Sequence, residues 1–187
     1  MKKTLVIHVQ DKSTDFLKVI YEGKGYDVLT EFGFKYQSNP NAKKDLIKVM
    51  EQYDRIIMLG HGTPQGLLNV EKNGRYVGYI IDREFKDILA KKKTISIWCN
   101  SDQFFKLWNI KGFHTGMIIS EVREASFVLG KTPLNEQETL DNMYAFATIV
   151  RLCIDEEPQV MKKFILEHYN FDDDVTRYNR DNIIVIE

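Results

Sequence analysis

The chain has 187 residues, with 26 Lys and Arg against 27 Asp and Glu, and the resulting net charge of −1 supplies no basic field for a phosphate backbone. Its 43% hydrophobic share is enough to bury a core over this length, while charge-free runs such as 112–120 and 142–150 fall far short of the roughly 20 apolar residues of a membrane span. Neither a nucleic-acid nor a membrane partner is expected.

The opening Met1-Lys2-Lys3 leads into a short run holding His8, with no small-residue cleavage site, so a soluble cytoplasmic protein is expected. Two cysteines, Cys99 and Cys153, stand in unlike contexts, which excludes a disulfide framework. No His, Cys and Asp spacing matches a metal site, and the glycine-rich loop 60–66 lacks the Lys-Ser/Thr of a phosphate cradle, so neither metal nor cofactor is expected. No repeat or linker-like stretch divides the chain, which reads as one domain, 1–187.

In chain order, Leu5 to Val9 is a β-branched run that predicts a strand, and Ser13 or Thr14 caps a helix through Tyr21 that stops at Gly23 and Gly25. Tyr26 to Thr30 reads as a second strand. After Asn39-Pro40, Leu46, Ile47, Val49 and Met50 predict a helix to about Tyr53. Arg55 to Leu59 is apolar on both faces, as a central parallel strand requires, and it ends at Gly60-His61-Gly62. Leu67–Val70 and Tyr76–Ile81 flank Lys72-Asn73-Gly74 and predict a hairpin. A helix over 84–92 feeds a strand over 94–99, followed by a helix over 101–110, a strand over 115–120 and a short helix over 121–129. Thr132-Pro133 opens a long helix with Leu140, Met143, Tyr144, Ala147, Val150 and Ile154 as its apolar positions; another follows Pro158, and Ile183–Ile186 closes the chain as an edge strand. This alternation predicts an α/β three-layer sandwich around a mostly parallel sheet, with chemistry at the carboxyl ends of its strands.

Two such ends carry reactive side chains. The run 56–59 delivers His61 and the run 95–98 delivers Cys99, so parallel neighbouring strands would place both on one edge. An adjacent imidazole can activate a thiol whose reference pKa is about 8.5, and the backbone N–H groups of Gly62 and Cys99 can face a developing oxyanion. Read plainly, a cysteine after an apolar strand is also a small core residue; Cys153, on an amphipathic helix, is read as core only. His8 is expected as a hydrogen-bonded core histidine, His114 beside a turn, and His168 in the last turn of a helix.

An apolar strand ending in His61-Gly62 and a second ending in Cys99 resemble the caspase-like cysteine peptidase clan. The resemblance covers residues 4 to 130 in strand order. It implies a caspase-like fold and a cysteine endopeptidase working through an acyl-thioester, with Cys99 as nucleophile, His61 as base or proton donor and Gly62 in the oxyanion hole. It also implies a peptide or protein substrate and a small-molecule or protein activator. By strand polarity Asp11, Ser120, Glu121 and Arg123 fall on the same edge, with Asp102 just beyond Cys99. The carboxylates of Asp11, Asp102 and Glu121 favour a basic residue before the scissile bond, whereas Lys12 or Arg123 would favour Asp. The other reading is a catalytically silent ligand-binding or regulatory module that responds to a nucleotide-type signal or a protein partner.

Overall fold

The computed structural model describes residues 3–9, 11–71 and 74–187. Strand β1 (Thr4–His8) leads through a 3-10 helix (Asp15–Ile20) to β2 (Asp27–Leu29). Helices α1 (Phe34–Ser38) and α2 (Ala42–Glu51) return the chain to β3 (Arg55–Leu59). Three short strands follow, β4 (Gly62–Thr63), β5 (Gly66–Val70) and β6 (Tyr76–Ile81), which pair antiparallel in a small sheet of their own. A 3-10 turn (Arg83–Phe85) and α3 (Lys86–Leu89) lead to β7 (Lys93–Ile97), α4 (Ser101–Leu107) and β8 (Gly112–Thr115). The rest is helical, α5 (Val122–Leu129), α6 (Glu136–Cys153), α7 (Pro158–His168) and α8 (Asp174–Asp181), before β9 (Ile183–Ile186).

The main sheet has six strands in the order β2-β1-β3-β7-β8-β9, all parallel except for β9 against β8. Alternation along each strand builds two cores. Val6, Ile57, Leu59, Ile95, Ile97 and Phe113 face the first 3-10 helix, α6 and α7, while Leu5, Ile7, Ile56 and Met58 face α2, α3, α4 and the small sheet. That is why the run 56–59 is apolar throughout, each fully buried aliphatic side chain contributing about 1.5–3 kcal/mol. The result is the expected α/β three-layer sandwich, with β3 and β7 adjacent and parallel. No helix among the described residues is long and apolar enough to cross a membrane.

Several local expectations are corrected. The segment before β2 is 3-10 rather than α, its backbone closing i to i+3 bonds such as Leu17 N–H to the Thr14 carbonyl. The strand expected over 115–120 is instead β8, which ends at Thr115. Beyond it the backbone finds side-chain and loop partners, Gly116 N–H donating to the Asn182 carbonyl and Ile119 N–H to Asn179 Oδ1. His114 lies inside β8, fully buried, stacked on Phe105 at 3.9 Å and hydrogen-bonded to Ser96 Oγ, so it does not flank a turn. Leu140 and Tyr144 of α6 face outward, and Phe146 takes the core position. Strand β4 and helices α1 and α8 were not foreseen. Lys72 and Asn73 of the expected hairpin turn lie outside the described residues.

Candidate functional site

The strand order dictates where a crevice opens. The chain moves from β1 out to β2, then returns past β1 to β3 and on to β7, so the order reverses between β1 and β3. At such a reversal the connections leave the carboxyl ends of the two strands on opposite faces, and ligands of open parallel sheets bind in the gap. The register sets the heights: His8 pairs with Leu59 and Leu59 with Ile97, so Asp11, His61 and Cys99 all follow the same level of the sheet.

Asp11 and His61 bridge this reversal. The Asp11 carboxylate divides its two oxygens between two tasks. Oδ1 closes the loop after β1, accepting from Ser13 N–H at 2.9 Å, Thr14 N–H at 3.0 Å and Ser13 Oγ–H at 2.9 Å. Oδ2 lies 2.9 Å from His61 Nε2, which is also 2.8 Å from Ser13 Oγ. Because the Ser13 hydroxyl already donates to Asp11, it accepts from the ring, so Nε2 carries a hydrogen and Nδ1 is left for a ligand. Only 8% of the Asp11 side chain is exposed, against 32% of His61.

The charges follow from these contacts. The hydrogen bond to Asp11 raises the His61 pKa above its ordinary value against the opposing effect of burial, and the carboxylates of Glu124 and Glu121 add to the rise. Burial opposes the Asp11 charge, but the bonds from His61, Ser13 and Thr14 outweigh it and hold the carboxyl well below the usual carboxylate range. The imidazolium is thus favoured relative to that of a free histidine, in a surround biased toward negative charge.

Cys99 follows β7 beyond the buried Trp98, where Asn100 adopts the left-handed conformation (φ 64°) and its N–H donates to the Gly116 carbonyl. Its thiol points to the Ile118 carbonyl at 3.7 Å, and burial pushes its pKa up to about 11. Among the described residues no hydrogen bond joins Cys99 to His61. Both nevertheless line one slot of about 30 Å³, room for about two water-sized groups, walled by Phe16, Leu17, Ile97, Ile118 and Phe146 with Ser120 at its polar side. A far larger groove of about 1140 Å³ lies at the opposite, amino end of the sheet, but its five basic and five acidic side chains give it no single sign of charge.

The remaining expected residues scatter. A Cβ on Gly62 would overlap the Trp98 indole, so its bareness serves packing, and its backbone pairs with Leu67 in the small sheet. Asp102 lies in the first turn of α4, bonded to Lys106 at 2.7 Å and absent from the slot. Ser120 lines the slot, its hydroxyl donating to Glu124 Oε2 at 3.0 Å. Glu121 is the exposed N-cap of α5, reciprocated by Glu124, and Arg123 is exposed in the same first turn. The three carboxylates proposed to recognise a basic side chain therefore do not converge, each being engaged within the chain. His8 is buried against the Tyr21 hydroxyl at 2.9 Å, as expected of a core histidine, and burial lowers its pKa to about 4. Ser13 was read only as a helix cap, although the Asp-x-Ser-Thr pattern also signals a side-chain-closed turn; Ile118 and Asn179 carry no local signal of their part in the site.

No protein-family model matches the sequence, and no curated protein matches it. Among solved structures the chain is similar to the Trp repressor binding protein from Bacillus subtilis, at 10% identity over 76% of this chain and 95% of that one, with a TM-score of 0.33. The resemblance to the caspase-like clan, with the cysteine endopeptidase activity it implied, is corrected. The geometry supplies the physical reason. The thiol is buried, protonated and directed at a carbonyl, while the imidazole is committed to Asp11, whose hydrogen bond raises its pKa.

Proposed function

We propose that the protein binds a neutral amide-bearing ligand at the carboxyl edge of its sheet, with His61 as the proton-donating contact. The observation that carries this reading is the Asp11–His61 pair across the β1/β3 reversal, its anion buried and its cation half-buried beside an apolar slot. A protonated Nδ1 needs an acceptor. Asp11 already neutralises the ring and Glu121 and Glu124 act on it as well, so the surround penalises a second anion. A cation would meet ring N–H groups that have nothing to accept. A carbonyl oxygen satisfies the donor without adding charge, and a small alkyl group beside it fits the slot between Phe16, Ile97, Ile118 and Phe146.

The test is a titration with acetamide, acetate and methylammonium, followed by backbone amide NMR in wild type and in His61→Gln. Acetamide is expected to shift Gly60, His61, Cys99 and Ser120 most, with the effect reduced at least fivefold in His61→Gln. Shifts that map instead to Lys92 and Lys111 in the amino-end groove, or equal binding by both proteins, would refute the assignment.

A further inference from the structure

The slot's outer wall has no strand to hold it. After β8 ends at Thr115, Ile118 and Ser120 both reach the slot, and the residue between them, Ile119, is completely buried against Ala125 and Val175. Its backbone is gripped from both sides by one side chain 60 residues away: Asn179 Oδ1 accepts from Ile119 N–H at 2.8 Å, and Asn179 Nδ2 donates to the Ile119 carbonyl at 3.0 Å. A carboxamide used in this way replaces the two bonds a neighbouring strand would make.

The grip extends further. Asn179 Nδ2 also lies 3.3 Å from the Tyr169 hydroxyl, which donates to Asn142 Oδ1; Asn142 Nδ2 in turn donates to Thr176 Oγ1 at 2.7 Å. Asn142 sits one turn before Phe146, the slot's apolar wall on α6. A continuous buried chain of polar groups therefore joins the loop wall to the helix wall. Every link in it has a partner, the condition under which such networks fix one arrangement.

We infer that Asn179, supported by Tyr169 and Asn142, is a positioning residue that sets the width of the slot and holds the Ile118 carbonyl over the Cys99 thiol. This deepens the amide-site reading as far as ligand size is concerned, but the placement of Ile118 over Cys99 stands without it.

Two readouts separate these parts. In a Cys153→Ala background, the rate of Cys99 alkylation by iodoacetamide is expected to rise at least fivefold in Asn179→Ala and at least threefold in Tyr169→Phe. Ile88→Val, a change in the core on the other face of the sheet, controls for general loosening. In the second readout, wild type is expected to prefer acetamide over isobutyramide, and Asn179→Ala to narrow that preference at least threefold. An alkylation rate unchanged by the variants, or raised no more than by Ile88→Val at matched loss of thermal stability, would overturn the positioning role. If Asn179→Ala fails to fold, Tyr169→Phe decides by the same criteria. Absence of any amide binding at His61 in wild type would overturn the amide site and slot selectivity, while the alkylation rates still decide the placement of Ile118.

Discussion

Asp11 shows how one short side chain can both shape a loop and charge a site. Because its folded pKa is depressed, its contribution to stability is present above about pH 4 and is lost as pH falls through the folded value. His61 has the opposite sign: its raised pKa contributes below about pH 6.5 and that contribution is lost as pH rises through the folded value. The pair is strongest between these limits. Asp11→Asn is expected to lower stability by about 1–3 kcal/mol at pH 5.5, through the weakened ion pair and loop bonds, and by less at pH 9. Urea unfolding at the two pH values measures the difference; an equal loss at both would show that the ion pair contributes nothing. Cys99 has the character of a wall. With its pKa at about 11 it is almost wholly a thiol at neutrality, and Cys99→Ala is expected to cost about 1–2 kcal/mol, from the small cavity left behind. Gly62→Ala is expected to cost about 1–3 kcal/mol because the added carbon displaces the Trp98 ring, which thermal unfolding with Trp fluorescence would register.

The elements most legible in the sequence are those whose pattern is set by burial alone. Strand β3 was clear because both its faces meet apolar partners, β7 because Ile95 and Ile97 alternate with Thr94 and Ser96 in a β-branched run, and α6 because its period is sustained over 18 residues. Helix α8 was hidden, since Val175 is its sole buried apolar side chain and its other buried residues, Thr176 and Asn179, are polar. The run 115–120 looked like a strand because Met117, Ile118 and Ile119 are apolar, yet the amides of Gly116 and Ile119 donate to Asn182 and Asn179, 60 and more positions away, which no local pattern encodes. Periodicity also misplaced one face of α6 by including Leu140 and Tyr144. Phe146→Ala is accordingly expected to cost about 3–5 kcal/mol, against about 0.5 kcal/mol for Leu140→Ala. At the start of the same helix, Asn135 and Glu138 form a reciprocal cap, and Asn135→Ala is expected to cost about 1 kcal/mol. Chemical denaturation of the three variants would test this ranking; a cost for Leu140→Ala near that of Phe146→Ala would contradict it.

Taken as a molecule, the protein places its polar side chains where its topology reverses. The position of His61 and Cys99 on one edge was readable, because parallel neighbours with equal register carry the residues after them to the same height. Their chemistry was not. Whether an imidazole serves a thiol or a carboxylate depends on which atom lies within about 3 Å, and the loop that brings Asp11 there follows a different strand, 50 residues earlier. Asp11, Asp102 and Glu121 are each engaged within the chain for a related reason: strand polarity fixes the edge on which a residue emerges but not the partner its side chain finds. The most direct measurement is the nitrogen NMR of the His61 ring, recorded from pH 5 to 9 with and without acetamide. Nε2 is expected to stay protonated throughout, held by Asp11 and Ser13, while Nδ1 titrates above pH 6.5 and shifts when acetamide is added. A neutral ring protonated on Nδ1, or an Nδ1 resonance indifferent to acetamide, would contradict the site proposed for this edge.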